Sequence, residues 1–203
     1  MAHKKKGHLT ASGEWVKHLR KELKRQFWKG ERNAGAKYIS DEIAEDLANA
    51  NYQFDELVKT LIALSSNSEK QKHIYGIGVA GDEMAEDFYS YYTLMRSTYL
   101  KFELIDEVQA SLLDKFDESL TKKSGSKHVD FWMDTGHDAW EEIRRDSSEI
   151  LQLLNKSHLD LVVEHDNEWT EDGRKIVAQK TTATLIDKTT HNTMQPPAGR
   201  SET

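Results

Sequence analysis

No cysteine occurs in this chain of 203 residues, which excludes disulfides, thiolate zinc sites and a cysteine nucleophile together. Long apolar runs are missing too. No window approaches the roughly eighteen uninterrupted apolar residues that a bilayer-spanning helix needs. Residues 1–8, Met-Ala-His-Lys-Lys-Lys-Gly-His, carry positive charge with no apolar stretch behind it, so they do not match a secretory signal and the expectation is a cytoplasmic protein. Strong catalytic signatures are equally scarce: no His-Glu-x-x-His pair and no nucleophile-elbow serine is present.

What is present is a charge division. Residues 1–40 hold eleven Lys and Arg against Glu14, Glu22 and Glu31, a surplus of eight; the whole chain is −7, so residues 41–203 sum to −15. A basic head on an acidic body marks a surface that meets something anionic. With 37% hydrophobic and 31% charged residues, the composition is polar but rich enough in aliphatic and aromatic side chains for a packed core. Its length fits one domain with an added arm. The expected division is a basic arm over 1–35, an acidic helical body over 36–190 with a β-hairpin in 159–190, and a loose polar tail over 191–203 containing Pro196-Pro197.

Helical spacing dominates the first two thirds. Thr10 or Ser12 is placed to cap a helix running past Trp28, with Gly30 and Gly35 as stops. Val16, Leu19, Leu23 and Phe27 fall within about 80° of one another and should dock on the body. Lys17, Lys21, Lys24, Arg25, Lys29 and Arg32 hold the opposite side, with Trp28 among them. Ser40 with Asp41 and Glu42 predicts a second helix start, carrying Ile39, Ile43 and Leu47 on one face, and Asn49–Asn51 predicts a break before a helix with Phe54, Leu57, Leu61 and Leu64. Residues 65–72 read as a polar connection.

The longest regular pattern runs from Met84 and Phe88 through Tyr91, Met95, Tyr99 and Phe102 to Phe116 and Leu120, every three or four residues, and predicts one helix over 82–120 that is interrupted, if anywhere, near Glu103. Residues 121–128 form a loop, Thr135 with Asp138 caps an antiparallel helix near 136–157, and β-branched clusters flank a turn at Glu171-Asp172-Gly173. The fold class is therefore mainly α: a helical bundle built on a long amphipathic helix, with an N-terminal basic helical arm and a small C-terminal β element.

Function is less sharply written. Cations at helical spacing follow a line of phosphates, and an indole among them stacks on an unpaired base. The leading expectation is an accessory or regulatory protein that binds RNA or single-stranded DNA through Lys17, Lys21, Lys24, Arg25, Trp28, Lys29 and Arg32. The alternative is a helical interaction or scaffold protein that engages a protein partner or forms a homo-oligomer, the same cations then pairing with carboxylates. No membrane partner is expected.

Weaker patterns stand beside these. Gly76-Ile77-Gly78-Val79-Ala80-Gly81 matches the letters of the dinucleotide fingerprint, but Asp82, Glu83, Glu86 and Asp87 crowd the place of the phosphates and no proper strand precedes it. A helix-initiating loop explains it better. Glu83, Glu86 and Asp87 share a face that would suit a hard cation, and His158, His165 and Glu168 are the other metal or acid–base grouping, which leaves a divalent-metal enzyme as the third reading. Carboxylates in a first turn are already explained by helix electrostatics, and for the histidines a catalytic zinc would want about three converging ligands with no His-Glu-x-x-His pair to supply them. No metal and no cofactor is assigned.

Overall fold

The computed structural model describes residues 21–123, 131–171 and 173–191. The expectations for Thr10, Ser12, Val16, Lys17 and Leu19, for Ser124–Ser126 and for residues 192–203 fall outside these. The architecture is mainly helical with one small C-terminal antiparallel hairpin, as the hydrophobic spacing requires. Contacts divide the chain into two compact units, one up to Asn49 and one from Ala50 onward.

The described part of α1 spans Lys21–Ser65 without interruption. Neither glycine stops it. A terminating glycine adopts positive φ, and the glycines that do so are Gly76 and Gly173, not Gly30 or Gly35. A helix-interior glycine costs only about 1 kcal/mol relative to alanine, and good helix formers such as Glu31, Arg32, Ala34 and Ala36 surround both. The start expected at Ser40 and the break expected at Asn49–Asn51 are likewise absorbed, because serine and asparagine only mildly disfavour a helix interior.

In the second unit, α1 buries Leu57, Val58, Leu61 and Leu64. The polar connection expected over 65–72 is in fact short: Asn67 accepts the Lys70 N–H through Oδ1 at 2.9 Å and starts α2, Ser68–Tyr75. Helix α3 follows over Ala80–Phe88, then a π-helical turn at Tyr89–Thr93, α4 at Arg96–Lys101 and α5 at Glu107–Lys123.

The single helix expected over 82–120 is thus three helices, broken twice. In the π turn the Leu94 N–H reaches back to the Tyr89 carbonyl at 3.2 Å, and the carbonyl of Tyr91 accepts the hydroxyl of Tyr99. The extra residue shifts the inward position from Tyr91 to Tyr92, which is buried against Phe88 with ring centroids 5.4 Å apart. The second break is at Glu103, whose φ of 56° leaves the helical region. A new start follows at once, since Asp106 and Gln109 exchange side-chain and backbone hydrogen bonds at 2.8 and 2.9 Å.

Helix α6, Trp140–Leu153, is the antiparallel partner of α5. Lys123 near the end of α5 pairs with Glu142 at 2.6 Å, while Gln109 near its start donates to the Leu153 carbonyl at 3.0 Å. Thr135 does not cap α6. It is buried, its hydroxyl meets that of Ser68 at 2.8 Å and its carbonyl accepts Arg144, so it ties two segments together.

Strands β1, Leu159–Trp169, and β2, Ile176–Asp187, pair antiparallel with Leu161 opposite Leu185 and Val163 opposite Ala183. Those residues face the core. Toward the turn the same face becomes polar, through His165 and Asn167.

Candidate functional site

Two features are candidates for a functional site. The first is residues 21–49 of α1. Arg25, Trp28, Lys29 and Arg32 are all exposed, Trp28 at 55%. Lys21 and Lys24 lie on the same helix, but their side chains, with those of Leu23 and Phe27, fall outside the described part, as does Lys17 altogether. Because the helix does not stop at Gly30 or Gly35, its geometry links residues that the sequence reading assigned to separate helices. At 100° per residue, Trp28, Arg32, Ile39 and Ile43 fall within about 60° of one another. Ile39 is 58% exposed and Ile43 52%. The indole that the sequence sets among cations is therefore in line with aliphatic side chains further along the same helix.

Charge along this segment changes sign. Residues 21–37 hold six Lys and Arg against Glu22 and Glu31, a net +4, whereas residues 38–49 hold Asp41, Glu42, Glu45 and Asp46 with no cation, a net −4.

The second feature, within the other unit, is a cavity of about 570 Å³ between α1, the α2–α3 connection and the hairpin. Tyr52, Tyr75 and Tyr91 line it together with Glu56, Glu83 and Asp87. The Tyr75 hydroxyl donates to Asp87 Oδ2 at 2.8 Å. Burial pushes the Asp87 carboxyl above the usual carboxylate range, although the bond from Tyr75 opposes this, and burial beside that carboxylate raises the Tyr75 phenol. Lys59 pairs with Glu56 at 2.7 Å. Gln179 closes one side, accepting the Ile77 N–H at 3.0 Å and donating to Asn167 at 2.6 Å.

The weaker sequence patterns resolve into structure. The residues before the glycine run, Lys72–Tyr75, are the end of α2 and not a strand. Gly76 has φ 63° with the Gln179 side chain packed on it, and Gly81 lies against the backbone of Trp132, so these glycines serve a turn and a close packing contact. His165 is a structural hydrogen-bonding residue: its Nε2 donates to the His73 carbonyl at 2.6 Å, and its Nδ1 shares a hydrogen bond with the Thr181 hydroxyl at 3.0 Å. Among the described residues no group of three or more His, Asp or Glu is arranged to hold a metal ion. No helix among them is long and apolar enough to cross a membrane.

The sequence reading missed Tyr75, Asp87 as its partner, and Gln179. Only the fold brings positions 75, 87 and 179 together, and no local spacing announces it. The chain matches no protein-family model, no curated protein and no solved structure.

Proposed function

We propose that this chain is a helical interaction protein whose binding element is the 21–49 segment of α1. The observation that supports this best is Ile39 and Ile43, more than half exposed and in line on one helical face, on a segment that is electrically neutral as a whole but divided into a basic and an acidic half. An apolar stripe framed by charge is how an amphipathic helix presents itself to a protein groove or to another helix. A photo-crosslinking side chain placed at Ile43 in cells should give a protein–protein adduct, and Ile39→Asp should abolish it. An adduct confined to nucleic acid, or none at all, overturns the reading.

The nucleic-acid reading is the second, and one observation favours it: Arg25, Trp28, Lys29 and Arg32 all stand in solvent-accessible positions. Cations with an indole between them suit RNA or single-stranded DNA. The adjoining carboxylates of residues 41–46 weigh against a polyanion, which ranks this reading below the first. Titration of labelled RNA at two ionic strengths tests it, with affinity falling steeply in salt and Arg25→Glu with Lys29→Glu abolishing binding. Salt-indifferent or absent binding removes it.

A further inference from the structure

The charge reversal along α1 carries more than the existence of a partner. We propose that the partner is a second copy of this chain, the two 21–49 segments lying antiparallel across a two-fold axis near Gly35 and Ala36. The inference rests on the interaction reading above and names its partner.

Charge decides the direction. A segment that is +4 over residues 21–37 and −4 over residues 38–49 meets like charge along its whole length if a copy lies parallel to it. Antiparallel, each basic half lies on an acidic half, and the complementarity is satisfied twice by the same symmetry. No other partner is required for the charge to balance.

The side chains then decide the register. Opposing residues whose numbers sum to 71 places Trp28 against Ile43 and Arg32 against Ile39, so that an indole and an arginine stem cover the two exposed isoleucines. Arg25 comes beside Asp46, both within about 30° of the facing line, and symmetry makes that pair twice. The axis passes between Gly35 and Ala36, and nothing within 4 Å of Gly35 occupies the space where a β-carbon would stand. Small residues at the crossing let two helices approach to the lower end of the usual interaxial range, about 8 Å. Sliding by one heptad in one direction lays Arg32 on its own copy across the axis. Sliding the other way carries Trp28 past Asn49 to Ala50, which is buried in the second unit. Neither alternative keeps both isoleucines covered without cost.

The purified full-length protein tests this by sedimentation over a wide concentration range, with single cysteines as geometric reporters in a chain that has none. Twice the monomer mass is expected, with the dissociation constant of the dimer raised at least about tenfold by Ile39→Asp plus Ile43→Asp. Arg25→Glu and Asp46→Arg should each loosen the dimer by about three- to tenfold, and the two together should restore it. This reversal pair keeps the test decisive should the isoleucine variant misfold. Ala36→Cys should form a disulfide-linked dimer while Ile43→Cys should not, since positions 43 of two antiparallel copies stand roughly 22 Å apart at 1.5 Å per residue.

A disulfide through position 43 would show a parallel pair and overturn the arrangement. A monomer at every concentration overturns the inference, as does a mass that rises only on adding RNA, or crosslinking of the Ile43 probe to residues 1–20 of the same chain. If the purified protein is monomeric yet the probe in cells still captures a different protein, the second copy is refuted while the interaction reading stands; if neither occurs, both fail.

Discussion

Gly81 lies so close to the backbone of Trp132 that a β-carbon at position 81 would stand 2.0 Å from the Trp132 carbonyl oxygen. That contact fixes the start of α3 against the segment leading into α6. The obstructing atom is backbone and cannot rotate away. Gly81→Ala is therefore expected to destabilise the protein toward the upper end of about 1–3 kcal/mol, the usual cost of overpacking, read as a lower urea midpoint with unchanged slope.

Tyr92 is 1% exposed, with its hydroxyl 2.5 Å from Asp114 Oδ1 and 2.8 Å from the Ala110 carbonyl. Arg96 grips the same carboxylate from the other side at 2.8 and 2.9 Å. Tyr92→Phe removes a donor to a charged acceptor and is expected to cost about 1.5–3 kcal/mol. The hydrogen bond from Arg96 holds Asp114 below its ordinary value near 3.8, helped by Tyr92. A depressed carboxylate stabilises the fold above that ordinary value and loses the contribution as pH falls through the lower native one. Stability lost between pH 4 and the acid limit should accordingly shrink in Asp114→Asn, as chemical denaturation at stepped pH would show.

Asp87 behaves oppositely. Its carboxyl is raised, chiefly by burial, so the native state holds that proton more tightly than the unfolded chain does. Its contribution is fully present below the ordinary value near 3.8 and is lost as pH rises through the raised one. At neutral pH the ionised group is a burden. Asp87→Asn, which can still accept from Tyr75, should raise the denaturation midpoint at pH 7 and leave it nearly unchanged at pH 3; a lower midpoint at pH 7 would contradict this account.

Trp140 is fully buried, stacked on Phe131 with centroids 4.7 Å and planes 7° apart, and its Nε1 donates to the Phe131 carbonyl at 2.8 Å. Trp140→Phe leaves both a void and an orphaned carbonyl, at a cost of about 2–4 kcal/mol. The fluorescence difference between the two proteins should be a blue-shifted component, as befits an indole away from water.

The mainly helical class and the C-terminal hairpin were legible because spacing of three and four, then clustered β-branched residues, report directly on burial. Where the reading went astray, the local residues were ambiguous. Gly30 and Gly35 look like stops, but a stop requires positive φ, and spacing says nothing about φ. The two breaks within 82–120 had unequal signals. Asp106 with Gln109 is a capping pair that could have been read, and it was passed over because the hydrophobic period ran on through it. The π turn has no comparable mark, since Tyr91 and Tyr92 are neighbours of one chemical type and only packing chooses between them. The stripe from Trp28 to Ile43 was hidden for the same reason as the missing stops: two half-stripes assigned to separate helices show no common face.

Gly30 and Gly35 leave one further consequence. Each subtracts about 1 kcal/mol from the intrinsic helicity of the segment relative to alanine, and the described side chains of residues 28–49 gain little from burial to offset it. In the proposed dimer, coiling and association are then a single linked equilibrium, in which part of the docking free energy is consumed in keeping the backbone wound. Gly30→Ala, a change at a position with nothing within 4 Å, would tighten a complex it never touches.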